Sequence, residues 1–135
     1  MSVSHATMKT FTYYLKVPSS ASPEFIDITD EVNRFLKDSG ISSGMLLVFS
    51  RHTTSAVVIQ ENEPLLLEDF KVMLENISSE NASYRHNDFD VRTVHMHENE
   101  CPNGHSHCQH LVLGSSETVP VIDGEMPLGE WQRIF

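Results

Sequence analysis

Residues 8–17 read Met-Lys-Thr-Phe-Thr-Tyr-Tyr-Leu-Lys-Val, with Phe11, Tyr13, Leu15 and Val17 on one parity. That period of two predicts a half-buried strand, broken at Pro18-Ser19-Ser20. A short β segment over 24–28 follows. Thr29 or Asp30 then caps a helix running to about Ser39, with Gly40 just past its end and Val32, Phe35 and Leu36 as its apolar stripe. Residues 45–50 are nearly all apolar and predict a strand buried on both faces. Residues 55–60 are β-branched and predict a strand pairing nearby, after the polar interruption Arg51-His52-Thr53-Thr54. Asn62 or Glu63 with Pro64 opens a second helix, whose stripe is Leu66, Phe70, Met73, Leu74 and Ile77.

The polar stretch 78–99 carries no periodic signal. Asn103 and Gly114 bracket a helix, with a strand as the rival reading of the same residues. Residues 118–122 predict a strand, Asp123-Gly124 a two-residue hairpin, and 125–135 the return strand. Strands and helices interleave without βαβ repetition. The expected class is α+β: one compact domain over 1–135, a mixed or antiparallel sheet packed by two or three helices.

Composition narrows the function. The chain has 39% hydrophobic and 21% charged residues, enough for a core and a wet surface. No apolar run approaches a membrane helix, and residues 1–16 lack the apolar stretch of a secretory leader. A cytoplasmic location is expected. Nine basic against nineteen acidic residues oppose non-specific nucleic-acid binding. A small anionic substrate stays compatible, because a metal ion or a helix N-terminus supplies local positive potential.

Eight histidines and two cysteines carry the chemistry. A local zinc knuckle would use His95, His97, Cys101, His105, His107 and Cys108. A distributed site would join one or two of these histidines to distant ones and leave one position open. The C-x6-C spacing matches no standard zinc module, and His95, His97 and His110 suit solvated loop or helix-surface positions. His52 interrupts an apolar strand region, which suits either a metal ligand or a core histidine bonded to a backbone carbonyl. Glu61-Asn62 also suits a helix start, and His86-Asn87-Asp88 a turn.

Arg51-His52-Thr53-Thr54-Ser55-Ala56 with Gln60-Glu61-Asn62, then Tyr84-Arg85-His86-Asn87-Asp88, then Asn103-Gly104-His105-Ser106-His107 running to Leu113-Gly114-Ser115, form an ordered series. Pro120-Val121-Ile122-Asp123-Gly124 and Leu128-Gly129-Glu130-Trp131-Gln132 close it. From about His52 onward this series resembles the YjbQ family. The resemblance implies an α+β fold, a homotrimer, and a divalent metal, zinc, held by His52, His86 and His107. His105 beside them is the implied catalytic neighbour or substrate contact. It also implies a secondary thiamine-phosphate synthase activity. That reaction joins hydroxymethylpyrimidine diphosphate to thiazole phosphate and releases diphosphate. Two departures stand out. Family members continue past the Trp-Gln motif, so the chain is expected to lack their last strand residues, and its His/Cys run over 93–108 is richer than theirs.

Three neutral histidines with an open position are the pattern of a catalytic zinc. Thr53, Ser55 and Ser106 are short hydroxyl donors suited to phosphate oxygens, and equally to local strand or cap bonds. Glu61 suits a general base or a carboxylate that orients a ligand histidine, and equally a charge at a helix start. Asn62 suits a substrate amide or a cap, Asp88 the orientation of His86, and Trp131 and Gln132 the pocket wall. Two rival classes use the same histidines: a metal-dependent hydrolase of a small phosphorylated substrate, and a non-catalytic trimeric metal-binding protein.

Overall fold

Gly40 adopts the left-handed backbone that few other residues tolerate (φ 65°), and its N–H bonds the Lys37 carbonyl at 3.1 Å. It ends α1 (Thr29–Ser39) in the computed structural model, which describes residues 7–135. The first residues of the stretch read for a leader, 1–6, lie outside the described part. Val32 and Leu36 of the α1 stripe are buried, and the half-buried Phe35 stacks on Tyr13 at 4.8 Å between ring centroids. The cap of α1 is neither Thr29 nor Asp30. Ile28 holds the N-cap position, and the Asp27 carboxylate accepts the Thr29 N–H (2.9 Å) and hydroxyl (2.7 Å).

β1 (Ser43–Phe49) pairs antiparallel with β3 (Ser116–Ile122), with Ser43 opposite Ile122 and Phe49 opposite Ser116. The reading of residues 45–50 as buried on both faces is corrected here. Leu46 and Val48 pack against the core with Val119, while Met45, Leu47 and Phe49 are 79, 63 and 59% exposed. The strand alternates as any strand must, but apolar residues occupy both faces, so the pattern conceals which face is covered.

Asp123 (φ 53°) and Gly124 (φ 81°) form the expected two-residue turn, and Ile122 and Glu125 exchange both backbone bonds at 3.0 Å. The return strand does not follow. After that single bridge the chain leaves β3, and only β4 (Gln132–Ile134) is extended; it pairs antiparallel with β2 (Ile59–Glu61). Two further bonds between Val58 and Phe135 lengthen this ribbon. Residues 55–58 are therefore not strand, and neither are 8–17 nor 24–28. Among the described residues no neighbouring strand offers residues 8–17 a ladder, and Ile28 makes a single bond toward β4, from its N–H to the Ile134 carbonyl at 2.8 Å, while its own carbonyl accepts the Val32 N–H at 3.0 Å.

Helices follow their signals more closely. α2 (Pro64–Ile77) starts where Pro64 lacks an N–H to satisfy, and the Glu63 carboxylate accepts from Leu65 and Leu66 at 3.0 and 2.8 Å. Leu74 is buried, whereas Met73 and Ile77 of the expected stripe are exposed. A 3-10 turn (Arg85–Asn87) precedes α3 (Gly104–Leu113), so the helix prevails over the strand for that segment. The core joins Val32, Val57, Val119 and the fully buried Ile134, flanked by Ile28, Leu46, Ile59 and Leu128. Burying a side chain such as Ile134 contributes roughly 1.5–3 kcal/mol. The result is a compact α+β domain, and its described residues form two small antiparallel sheets in place of one larger sheet.

Candidate functional site

Two histidines meet because three elements are sewn together around them. The Asn87 side-chain oxygen accepts the N–H groups of Asn103 (3.1 Å) and Gly104 (2.9 Å), which satisfies orphan donors at the start of α3. A Cβ on Gly104 would stand 2.6 Å from the Tyr84 Cβ, so only glycine allows this approach. The Tyr84 hydroxyl donates to the Ser79 carbonyl at 2.6 Å, and Ser78 donates to the His105 carbonyl at 3.2 Å. Gln109 of α3 reaches back to the carbonyls of Ser78 (3.0 Å) and Leu74 (3.3 Å) at the end of α2.

Held this way, the rings of His86 and His107 lie 4.6 Å apart between centroids, edge to face. The His86 Nε2 is buried and has no hydrogen-bond partner. Burial pushes the His107 pKa down, and the charge of His86 does the same, against the Thr53 backbone, which raises it. His107 therefore favours the neutral imidazole, the form that binds metals. The influence of Thr53 also places the 52–54 turn against α3.

A second pair flanks the histidines. Arg92 and Glu100 form an ion pair whose side chains are each only 13% exposed. Arg92 also donates to the carbonyls of His95 (2.7 Å) and His86 (3.5 Å), while the Glu100 Oε2 accepts the His97 N–H at 3.2 Å. The Glu100 Oε1 stands 4.0 Å from the His86 Nε2. The Arg92 hydrogen bond holds the Glu100 carboxyl below the usual range.

His52 is exposed, and its Nδ1 takes the Thr54 N–H at 3.2 Å and contacts the Thr54 hydroxyl at 2.9 Å. Among the described residues, no three His, Cys, Asp or Glu side chains gather closely enough to hold a metal as they stand. The structure thus brings His86 and His107 together, and His52 does not complete a ligand group with them. The local knuckle of His95, His97, Cys101, His105, His107 and Cys108 forms no such group either, and both cysteines are exposed. The donor chemistry of the pair nevertheless fits a borderline divalent ion: one imidazole kept neutral, the other with a buried and unpartnered nitrogen.

His105 is buried, with its Nε2 at 3.1 Å from the Ser106 hydroxyl. His52, Ser55, Ser106 and His110 lie along an open groove of about 1680 Å³, which also borders Tyr13 and Phe49. The Ser55 hydroxyl meets Ser50 at 2.7 Å, and Thr53 is exposed. Asp88 is exposed and accepts the Val91 N–H at 3.3 Å; the carboxylate beside His86 is that of Glu100. Glu61 and Gln132 face each other across the β2–β4 ribbon. The Asn62 amide donates to Asp27 at 3.0 Å, Gln132 accepts the Gly129 N–H at 2.7 Å, and Trp131 is exposed.

Sequence reasoning passed over Arg92, Glu100 and the cap made by Asn87. Asn87 lies inside the Tyr84–Asp88 motif but reads there as a turn former. Arg92 and Glu100 belong to a polar stretch whose pairing across eight residues leaves no periodic mark.

The comparisons with known proteins agree with this architecture. A family model described as UPF0047 protein YjbQ-like matches residues 13–135. A UPF0047 protein of Methanothermobacter thermautotrophicus is 46% identical over 128 residues, 95% of this chain and 82% of that protein. The UPF0047 protein YugU of Bacillus subtilis is 32% identical, covering 90% of this chain and 83% of its own length. The crystal structure of a YbjQ-like protein of unknown function from Sulfolobus solfataricus superposes with a TM-score of 0.78 at 33% identity, over 88% of this chain and 78% of that one. A YjbQ/UPF0047 protein of Clostridium acetobutylicum gives 0.74 at 32%, over 87 and 82%. The motif order from His52 onward thus reflects common descent, and the chain belongs to the YjbQ (UPF0047) family.

Proposed function

We propose that this protein is a metal-dependent enzyme acting on a small phosphorylated substrate, with thiamine-phosphate synthesis as its reaction. The observation that carries the reading is the His86–His107 pair, with the buried, unpartnered Nε2 of His86 beside a neutral His107. The pair would hold a divalent ion, zinc, with a third group; the family resemblance names His52 for that place. Bound there, zinc supplies Lewis-acid charge. A chain with a net charge of -10 offers an anion little else of that kind.

The remaining roles belong to the chain itself. Ser106 and Ser55, along the groove, present hydroxyls suited to phosphate oxygens. His105 orients the Ser106 hydroxyl through their 3.1 Å contact. Glu61 is assigned to orient a ligand histidine, since the step below releases no proton for a base to take, and Thr53, Asn62, Asp88, Trp131 and Gln132 are assigned substrate contacts. The C–O bond of the pyrimidine diphosphate breaks with its electron pair leaving on diphosphate. The thiazole nitrogen then forms the new C–N bond. A cytoplasmic homotrimer belongs to the same proposal, and the exposed Met45, Leu47 and Phe49 support the association. No helix among the described residues is long and apolar enough to cross a membrane.

Zinc-loaded protein mixed with the pyrimidine diphosphate and thiazole phosphate is expected to yield thiamine phosphate and diphosphate in equal amounts. His86→Ala should abolish this. Phosphate released without the thiazole acceptor would replace the synthase with a hydrolase. A zinc-loaded protein with neither activity would leave a binding protein.

A further inference from the structure

The proposed reaction joins two phosphorylated substrates, and the histidine pair offers a place for one of these anions. The other needs a cation of its own, and the open groove beside His52 supplies one. In a chain with nineteen acidic residues, Glu24 is the only carboxylate among the described residues that lines this groove, whereas Lys9 and Arg51 both line it. The Glu24 carboxylate is itself taken up by the N–H groups of Ser20 and Ala21. The groove thus opposes the sign of the whole chain, and an anion meets less repulsion there than elsewhere on the surface.

Arg51 stands next to His52 in this groove. It is exposed, and its guanidinium lies over the Tyr14 ring, 5.9 Å from the centroid. Among the described residues it forms no ion pair, unlike Arg92 and Arg133, which are committed to Glu100 and to Asp27 and Asp30. A ring face attracts a guanidinium without using a hydrogen-bond donor, so the N–H fork stays available for a phosphate. Two hydroxyls stand with it. The Ser50 and Ser55 oxygens are 2.7 Å apart, so one O–H is spent between them and the other is free to donate. The Ser50 N–H donates to the Ser115 carbonyl at 2.8 Å, and the Ser115 hydroxyl meets the His110 Nε2 at 3.3 Å. These bonds tie the start of the 51–54 turn to α3, the helix that carries His107. Ser106, the neighbour of His107, lines the same groove.

We infer that Arg51, with the Ser50–Ser55 hydroxyl pair, binds the phosphate monoester of the thiazole substrate, apart from the diphosphate. The inference rests on the reading of two phosphorylated substrates and names where the second phosphate is held. Arg51 is then a specificity residue: it selects a phosphorylated acceptor over the bare thiazole alcohol.

Inorganic phosphate titrated into the intact, zinc-stripped chain at constant ionic strength, with calorimetry reading the affinity, tests the subsite without reference to turnover. Wild type is expected to bind phosphate, and Arg51→Gln to bind it about 10-fold more weakly. Arg34→Gln, whose arginine lies over Phe35 outside the groove, should bind it as wild type does. In the zinc-loaded enzyme, Arg51→Gln should raise the KM for thiazole phosphate about 10-fold and leave kcat and the KM for the pyrimidine diphosphate within about threefold. Phosphate bound only with zinc present, or bound by Arg51→Gln as by wild type, would overturn the inference. An equal rise in both KM values would do so too, since it makes Arg51 a general attractor of anions. Phosphate held through Arg51 by a protein without synthase activity would remove that reaction and keep the subsite.

Discussion

Asp27 gathers four hydrogen-bond donors on one carboxylate: the Arg133 Nε (2.7 Å), the Asn62 amide (3.0 Å), and the N–H and hydroxyl of Thr29 (2.9 and 2.7 Å). Burial raises its pKa, but the bonds from Arg133, Thr29 and Asn62 prevail and lower it from 3.8 to about 2. The folded value lies below the unfolded one. The stabilisation is therefore complete above about pH 4 and is lost as pH falls through about 2. Its size is on the order of 1 kcal/mol, since solvent still reaches part of the group. Asp27→Asn is expected to lower Tm by several degrees at pH 7 and to flatten the acid limb, so that the melting curves of variant and wild type converge near pH 2. Parallel Tm profiles would contradict this role. At this scale the sequence was partly readable. His86 and His107 emerged only through the motifs that carry the family resemblance, because each motif is local, while residue type and spacing alone read His86 as part of a turn. Their partner Glu100 did not, because its meaning comes only from where Arg92 and the loop over 92–100 place it.

Capping decides how the site elements sit. Asn87 serves α3 from sixteen residues away, so Asn87→Ala should cost about 1–2 kcal/mol in denaturant unfolding and loosen the His86–His107 contact. Unchanged stability would show that water replaces the cap. The helices were legible because their signals are local: Glu63-Pro64 before α2, Gly40 and Gly114 after α1 and α3. The Asp123-Gly124 turn was legible for the same reason. Strands were not, because pairing is non-local. Residues 8–17 alternate cleanly yet find no partner strand, and the segment after Glu125 leaves β3 to join β2. The Asp27–Arg133 tie, joining residues 106 apart, helps set that choice and has no sequence signature.

The molecule as a whole presents more apolar surface than a solitary domain needs. Met45, Leu47 and Phe49 project from one face of β1, and Leu65 and Leu111 are exposed on α2 and α3. If the homotrimer we propose uses the β1 face, light scattering on wild type should give the mass of three chains, and Leu47→Glu with Phe49→Glu should reduce it to one. A wild-type monomer, or a variant that still trimerises, would exclude that face. The two histidine rings come from α3 and the 85–87 turn of one chain, so the proposed metal, if bound there, is expected to be held whatever the association state.

The most direct test is zinc content after dialysis, measured on wild type and on the His86→Ala, His107→Ala double variant. About one zinc per chain in the wild type and none in the double variant is expected. Zinc retained by the double variant, or absent from the wild type, would show that this pair is not a metal centre.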